Sequence, residues 1–309
     1  MELIRGLHNL RPHHHGSVVT IGNFDGVHLG HQAVLGQLAE RADRLGLPTV
    51  VVIFEPQPQE FFGAAPLPRL TRLREKLQAL RRFSVNRVLC LRFDRSFAAL
   101  TAEQFIDRVL RQGLGVRYLV VGDDFRFGAD RLGNYALLQQ AGRDHDFEVT
   151  HTRTFTISGE RVSSTRIRRA LATGDLALAE QLLGRCYRMS GRVAHGDKRG
   201  RTIGFPTANI HLHRQQTPLD GVFAVQLHGI GAEPLPGVAN IGRRPTVNGS
   251  EVRLEVHLFD FSGDIYGRYV TVDFLQRIRP EQRFESFAAL REQIVHDAAT
   301  ARRFFGMAA

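Results

Sequence analysis

Two histidines three residues apart, His28 and His31, flank Gly30 in the stretch Gly22-Asn23-Phe24-Asp25-Gly26-Val27-His28-Leu29-Gly30-His31. Glycines admit close backbone approach, and a helix that opens there offers amide donors and the positive end of its dipole. That combination suits a phosphate. Two imidazoles at this spacing can reach the same phosphate and stabilise charge that develops as a leaving group departs. Taken alone, such a pair also fits ordinary hydrogen-bonded loop residues. Zinc would need a third and fourth ligand at suitable spacing, and none stands there. A second anion site is offered by Val162-Ser163-Ser164-Thr165-Arg166-Ile167-Arg168, where hydroxyls at a helix start precede arginines one turn in. The same stretch equally reads as a plain N-cap followed by solvated arginines.

The second half holds a turn-rich block, Gly191-Arg192-Val193-Ala194-His195-Gly196-Asp197 followed by Gly200-Arg201-Thr202-Ile203-Gly204-Phe205-Pro206-Thr207-Ala208-Asn209. By itself it says little beyond loops between strands. No GxxxxGK(S/T) phosphate loop occurs in the chain, so any kinase here holds ATP differently. Further on, Glu255 and His257 alternate with Leu254, Val256 and Leu258, which puts the two polar residues on one face of a strand. Without other information that face is the polar side of an edge strand.

The elements that must position these residues fall into two textures. Residues 18–21 form a β-rich run ending at Gly22. After Gly30, Val34, Leu35, Leu38, Ala39, Ala42 and Leu45 recur at helical spacing until Gly46 and Pro48. Residues 49–54 read as a strand buried on both faces, 71–83 as a basic helix, and 85–93 as containing another strand. Thr101 and Gln104 make a capping box for a helix carrying Phe105, Ile106, Val109 and Leu110. Residues 118–121 and 147–151 are further strands. This alternation predicts an α/β fold with a parallel sheet, whose ligand lies beyond the carboxyl ends of the strands, at the loops after Ile21, Phe54 and Val121. Beyond Gly184 the runs 187–194, 221–228, 235–241, 252–261 and 268–278 all read as strands, with glycine- and proline-rich turns between them. A last helix carries Phe287, Leu290, Ile294, Ala298 and Ala301 on one stripe, with Ser286 as cap. A small β-barrel with one packed helix follows. The expected division is residues 1–184 and 185–309.

Composition narrows the class. With 43% hydrophobic and 23% charged residues the chain is an ordinary core-forming protein. The two cysteines, Cys90 and Cys186, are far apart, and each reads as a buried small hydrophobe rather than part of a disulfide or zinc framework. No stretch is apolar enough for a signal peptide or a membrane span, so a cytoplasmic address follows by elimination. The Asn248-Gly249-Ser250 sequon then carries no weight. The formal charge of +10 raises the alternative of a nucleic-acid-binding protein. The positive residues are scattered, however, and no DNA- or RNA-binding motif is present. No nucleic acid, membrane or obligate protein partner is expected.

Together, GNFDGVHLGHQ and VSSTRIR resemble the paired signatures of the HxGH nucleotidyltransferase superfamily. Phe54-Glu55-Pro56-Gln57-Pro58, Arg69-Leu70-Thr71, Glu75-Lys76 and residues 121–128 (VGDDFRFG) narrow the resemblance to bacterial bifunctional riboflavin kinase/FMN adenylyltransferase, also called FAD synthetase. The turn-rich block with its PTAN motif and residues 237–246 (GVANIGRRPT) resemble the kinase part of that family. The departures are small: Phe223 where tyrosine is usual, and Lys198 and Arg199 in a variable loop.

The resemblance implies a Rossmann-like adenylyltransferase domain followed by a riboflavin kinase barrel. It assigns Gly22, Phe24, Asp25, His28, Gly30, His31, Ser163, Ser164, Thr165 and Arg168 to ATP in the first domain, with His28, His31 and Arg168 catalytic. Phe62, Asp124 and Phe125 go to the flavin. In the second domain Gly204, Pro206, Thr207 and Asn209 would hold ATP, Thr207 and Asn209 would be ligands of Mg²⁺, for which hydroxyl and amide oxygens are suitably hard donors, and Glu255 would be the catalytic base. Riboflavin, FMN, FAD and ATP are the implied substrates and products. An HxGH nucleotidyltransferase with another acceptor is the alternative enzyme.

Overall fold

The computed structural model describes residues 1–63, 66–152, 154–195, 205–246 and 249–308. The chain packs as two compact units, one of residues 1–67 and 72–163, the other of 68–71 and 164–309.

The first unit is built on six parallel strands. In chain order these are β1 (Glu2–Arg5), β2 (Ser17–Ile21), β3 (Thr49–Glu55), β4 (Arg87–Arg92), β5 (Val116–Gly122) and β6 (Glu148–Thr152). Their order across the sheet is β1-β4-β3-β2-β5-β6. The apolar run in β3 is buried throughout because both faces are covered: Val50, Val52 and Phe54 enter one core cluster, Val51 and Ile53 the other. β1 is the strand that sequence periodicity did not indicate. Glu2 and Arg5 flank only two apolar residues, and its pairing with β4 supplies what the local pattern lacks.

The helices follow their caps. α1 (Leu29–Leu45) starts at His28, whose side chain accepts the His31 amide, and stops at Gly46 in the left-handed region. Leu35, Leu38 and Ala42 form its buried stripe, whereas Leu45 is exposed. The helix expected over 71–83 is shorter: α2 (Pro58–Phe62) precedes it, and α3 (Leu73–Leu80) begins where the Glu75 carboxylate accepts the Arg72 amide at 2.7 Å. The Thr101–Gln104 box is formed in both directions, at 3.0 and 3.2 Å. Because β3, β2 and β5 are adjacent and parallel, the loops after Ile21, Phe54 and Val121 leave the sheet at one end.

The second unit carries two helices, α4 (Ser164–Thr173) and α5 (Leu176–Leu183), then a closed six-stranded barrel. Its strands are β7 (Tyr187–Ala194), β8 (Ala208–His211), β9 (Gly221–His228), β10 (Leu235–Thr246), β11 (Gly249–Leu258) and β12 (Tyr269–Arg279). They close in the order β8-β11-β10-β9-β12-β7, with antiparallel neighbours. β8 corrects the reading of its segment as loop. Four residues after a proline carry little pattern, yet β8 pairs with β7 on one side and β11 on the other. Phe223 and Phe274 meet edge-on at 5.4 Å, and both are fully buried.

The last helix, α6 (Phe287–Phe304), is capped by Ser286 Oγ, which accepts the Ala289 amide at 3.1 Å. Ala298 and Ala301 pack over Val222, Ala224 and Val238 on the outer barrel face. Phe287 does not join that stripe and is 61% exposed. A bidentate Arg279–Asp297 pair ties α6 to β12, and Asp297 is buried. Of the cysteines, Cys90 is buried as expected. Cys186 is only half-buried, and its thiol donates to Glu180 Oε1 at 3.2 Å. Burial, followed by the Glu180 contact, pushes that thiol up to about 11, so it carries little thiolate at neutral pH.

Candidate active sites

The turn between β2 and α1 is tightly folded. Gly26, Phe24 and Val27 all take positive φ, at 85°, 47° and 44°. For a phenylalanine and a valine such backbone costs about 1–3 kcal/mol each, and it persists only where the surroundings impose it. Both side chains are buried in the sheet-side core, which provides that constraint. Gly22 and Gly30 leave room for rings. A Cβ on Gly22 would lie 3.3 Å from the Phe24 ring, and one on Gly30 3.2 Å from His28 Nδ1.

The turn brings His28 and His31 together, with rings stacked 3.7 Å apart and 17° from parallel. His28 Nδ1 accepts the His31 amide at 3.3 Å, so in the neutral ring the proton is on Nε2. His31 also meets Phe24 at 4.7 Å, and its Nδ1 is buried with no hydrogen-bond partner among the described residues. Burial pushes the His31 imidazole well below its ordinary range, and His28, Lys76 and Arg161 add positive surroundings. Asp25 and His28 are themselves buried.

A stability prediction follows from His31. Its proton affinity is depressed in the folded chain, so the unfolded chain takes up the proton first as pH falls. The protein therefore has its full stability with respect to this group above about pH 6.5 and loses some as pH drops below it. Urea unfolding at pH 7.5 and 5.5 should show a smaller loss for His31→Gln than for the parent. An equal loss would mean that His31 titrates normally.

A chain of phenylalanines links the two aromatic residues assigned to flavin. Phe62 is 71% exposed and meets Phe61 at 5.1 Å and Phe93 at 5.7 Å. Contacts then run from Phe93 to Phe97, Phe105, Phe127 and finally Phe125, each between 5.3 and 6.2 Å. Asp124 stands beside Phe125 with each carboxylate oxygen accepting from Arg161 at 2.9 Å. That hydrogen bond holds the Asp124 carboxyl below its usual range. Sequence reading passed over Arg161 and the intermediate phenylalanines. The available signal was 21 phenylalanines with no tryptophan, many of them between residues 54 and 127.

Ser163 ends the first unit, and Ser164, Thr165 and Arg168 lie in the first two turns of α4 in the second. Within the second unit, Arg168 Nε donates to the Pro68 carbonyl at 3.0 Å. Thr165 is exposed, while Ser163, Ser164 and Arg168 are half-buried.

In the barrel, Asn209 on β8 pairs directly with Glu255 on β11, and Glu255 pairs with Asn240 on β10. Side chains of directly paired residues stand about 4.5–5.5 Å apart at Cβ. The row Asn209–Glu255–Asn240 therefore collects an amide, a carboxylate and another amide. It lies on the outer face, since Leu254, Val256 and Ile210 are buried on the opposite parity and Val238, opposite His257, packs under α6. The edge-strand reading is excluded for Glu255, which is paired on both sides; His257, one residue past the end of the β8 ladder, pairs among the described residues with Val238 alone. His257 Nδ1 lies 2.9 Å from the Pro206 carbonyl oxygen. Thr207 is half-buried one residue before the ladder. Gly204 lies outside the described residues, as do Lys198, Arg199 and Asn248.

Among the described residues, Glu2, His13 and His14 come close enough to suggest a metal site. The tautomer argues against it. His14 Nδ1 accepts the Arg11 amide at 2.9 Å, which leaves the proton on Nε2, facing Glu2 at 3.2 Å.

Two family models match the chain in order: FAD synthetase over residues 10–166 and riboflavin kinase over 183–305. Curated relatives named bifunctional riboflavin kinase/FMN adenylyltransferase align end to end. The Escherichia coli protein is 56% identical, with 99% of each chain covered, and that of Haemophilus influenzae 53%, again with 99% of each. The Pseudomonas fluorescens protein is 53% identical over 98% of this chain and 97% of its own. A solved Streptococcus pneumoniae structure, described as a macrolide-efflux protein, has the same fold. It matches with TM-score 0.83 and 33% identity over 98% of this chain and 99% of that one. In this chain no helix among the described residues is long and apolar enough to cross a membrane. With both models matched and the relatives alike along their whole length, the chain belongs to the bifunctional riboflavin kinase/FMN adenylyltransferase family.

Proposed function

We propose that the protein phosphorylates riboflavin with ATP to give FMN and ADP, and then joins FMN to a second ATP to give FAD and pyrophosphate. The observation that carries this is its full-length identity to enzymes named for both activities. The working division is residues 185–309 for the first reaction and residues 1–184 for the second. A cytoplasmic address belongs to the same reading, because both reactions consume ATP.

In the kinase reaction the ribityl 5′-hydroxyl attacks the γ-phosphorus, the Glu255 carboxylate accepts the hydroxyl proton, and ADP leaves. Thr207 and Asn209 fit a magnesium ion: both are oxygen donors, and Asn209 stands directly across the ladder from an additional carboxylate. Bound there with ATP, the ion would neutralise phosphate charge. Pro206 belongs to the same nucleotide-binding segment, as does Gly204 by resemblance.

In the adenylyl transfer an oxygen of the FMN phosphate attacks the α-phosphorus and pyrophosphate leaves. No covalent intermediate on the protein and no proton transfer is needed, so positioning and charge stabilisation suffice. The strained turn 22–31 is suited to the phosphates, with the Nε2 proton of His28 as a donor. Ser163, Ser164, Thr165 and Arg168 are assigned to the same nucleotide by resemblance. The phenylalanine chain from Phe62 to Phe125, with Asp124, is the flavin side.

The test is to incubate the protein with riboflavin, ATP and Mg²⁺ and separate the flavins over time. FMN should appear first and FAD after it. No flavin product, or AMP transfer to FMN without any riboflavin phosphorylation, would remove all or half of the reading.

A further inference from the structure

His257 sits two residues beyond Glu255 on β11 and on the same outer face. A carbonyl can only accept, so the 2.9 Å contact with the Pro206 oxygen requires the proton on His257 Nδ1. The ring also meets Phe205 edge-on at 5.1 Å and Phe259 at 5.8 Å. Phe205 in turn packs against the apolar cluster beneath α6. One side chain thus holds both residues that precede Thr207.

The need for such a hold is visible in the ladder. Asn209 is paired on both sides, with Ala194 and with Glu255, so the barrel itself sets its position. Pairing begins at Ala208, and Thr207 lies ahead of it. Pro206 contributes no amide donor to any ladder. Thr207 is held on its C-terminal side by the laddered Ala208, and on the other side by whatever restrains residues 205 and 206.

We propose that His257 is a positioning residue of the phosphoryl-transfer site, which couples the Pro206–Thr207 segment to the strand carrying Glu255. This inference rests on the kinase reading given above. Through it, the Thr207 hydroxyl and the Glu255 carboxylate keep a constant spacing just beyond the end of the ladder, whose last pair is Ala208 with Val256. Misplacement by about 1 Å can cost on the order of 10²-fold in rate, which sets the scale of the effect.

Three variants of the full-length protein separate the alternatives. His257→Leu removes the donor and keeps bulk. His257→Asn keeps an N–H near the Nδ1 position, and His257→Gln moves it toward the place of Nε2. The measurements are kcat and KM for Mg·ATP in riboflavin phosphorylation, FAD formation from supplied FMN, and melting temperature. The leucine variant should lose about 10- to 100-fold in kcat/KM for Mg·ATP in riboflavin phosphorylation, with most of the loss in KM. FAD formation from FMN should stay within about twofold of the parent, as expected when only the kinase step depends on this spacing. Asparagine should restore most of the loss and glutamine less, at similar melting temperatures.

A leucine variant with parent-like kinase constants would overturn the proposal. So would an asparagine variant no better than glutamine, a comparison that stands even if leucine destabilises the barrel. Glu255→Gln assayed alongside tells the two failures apart. If it remains an active kinase, the underlying reading has failed; if it is inactive while His257→Leu is not, only the positioning role has.

Discussion

Glu255→Gln is expected to lower riboflavin phosphorylation by about 10²- to 10⁴-fold, the usual contribution of a positioned general base. FAD formation from supplied FMN should be unchanged within experimental error. The substitution keeps size and one acceptor oxygen but removes the charge and basicity that the proposed base needs to accept the hydroxyl proton. Glu255 lies on the polar outer face and is half-buried, so the cost to folding should be within about 0.5 kcal/mol. The decisive measurement is the ratio of the two activities in one preparation. A variant in which both fall together, with an unchanged melting temperature, would mean that the reactions share a site. A variant that still phosphorylates riboflavin at near the parent rate would remove Glu255 as base.

His28→Asn should have the reverse effect: FAD formation from FMN reduced by about 10²- to 10³-fold, the loss typical of one transition-state donor, with riboflavin phosphorylation retained. Asparagine is the informative replacement because His28 has two duties. Its Nδ1 caps α1, and its ring stacks on His31. An asparagine side chain is a favoured N-cap and can still accept the His31 amide, whereas alanine would also lose the cap, at about 1 kcal/mol. A folded His28→Asn protein with undiminished FAD synthesis would show that the histidine serves the fold and not the phosphates. Measuring kcat and KM for ATP separately adds detail: loss in kcat alone points to a contact made in the transition state.

These two experiments depend on different kinds of information. The strand–turn–helix unit carrying His28 and His31 was legible as a local pattern, since glycine spacing, a preceding β-run and a following helical stripe all fall within about 30 residues. The structure added the stacking of the rings and the positive φ of Phe24 and Val27, which no spacing rule indicates. The proposed barrel site was legible only through resemblance. Its turn-rich block carries no periodicity, and β8 exists because two neighbouring strands pair with it.

By itself, then, the amino-acid sequence determined the alternation of helices and strands, the caps at Thr101 and Ser286, the glycine-rich turn ahead of α1 and the switch to an all-β second half. Each of these is recorded in contacts between residues close in the chain, where hydrophobic period and capping chemistry act. The tertiary structure alone decided that Asn209, Glu255 and Asn240 share one row, that Phe62 and Phe125 end one aromatic chain, and that His257 reaches back to Pro206. The aromatic chain depends on how the first unit's sheet and helices pack, and the two barrel relations depend on strand register across tens of residues. A one-residue slip would turn every side chain of a strand to its other face, so the row exists only once the whole barrel is closed.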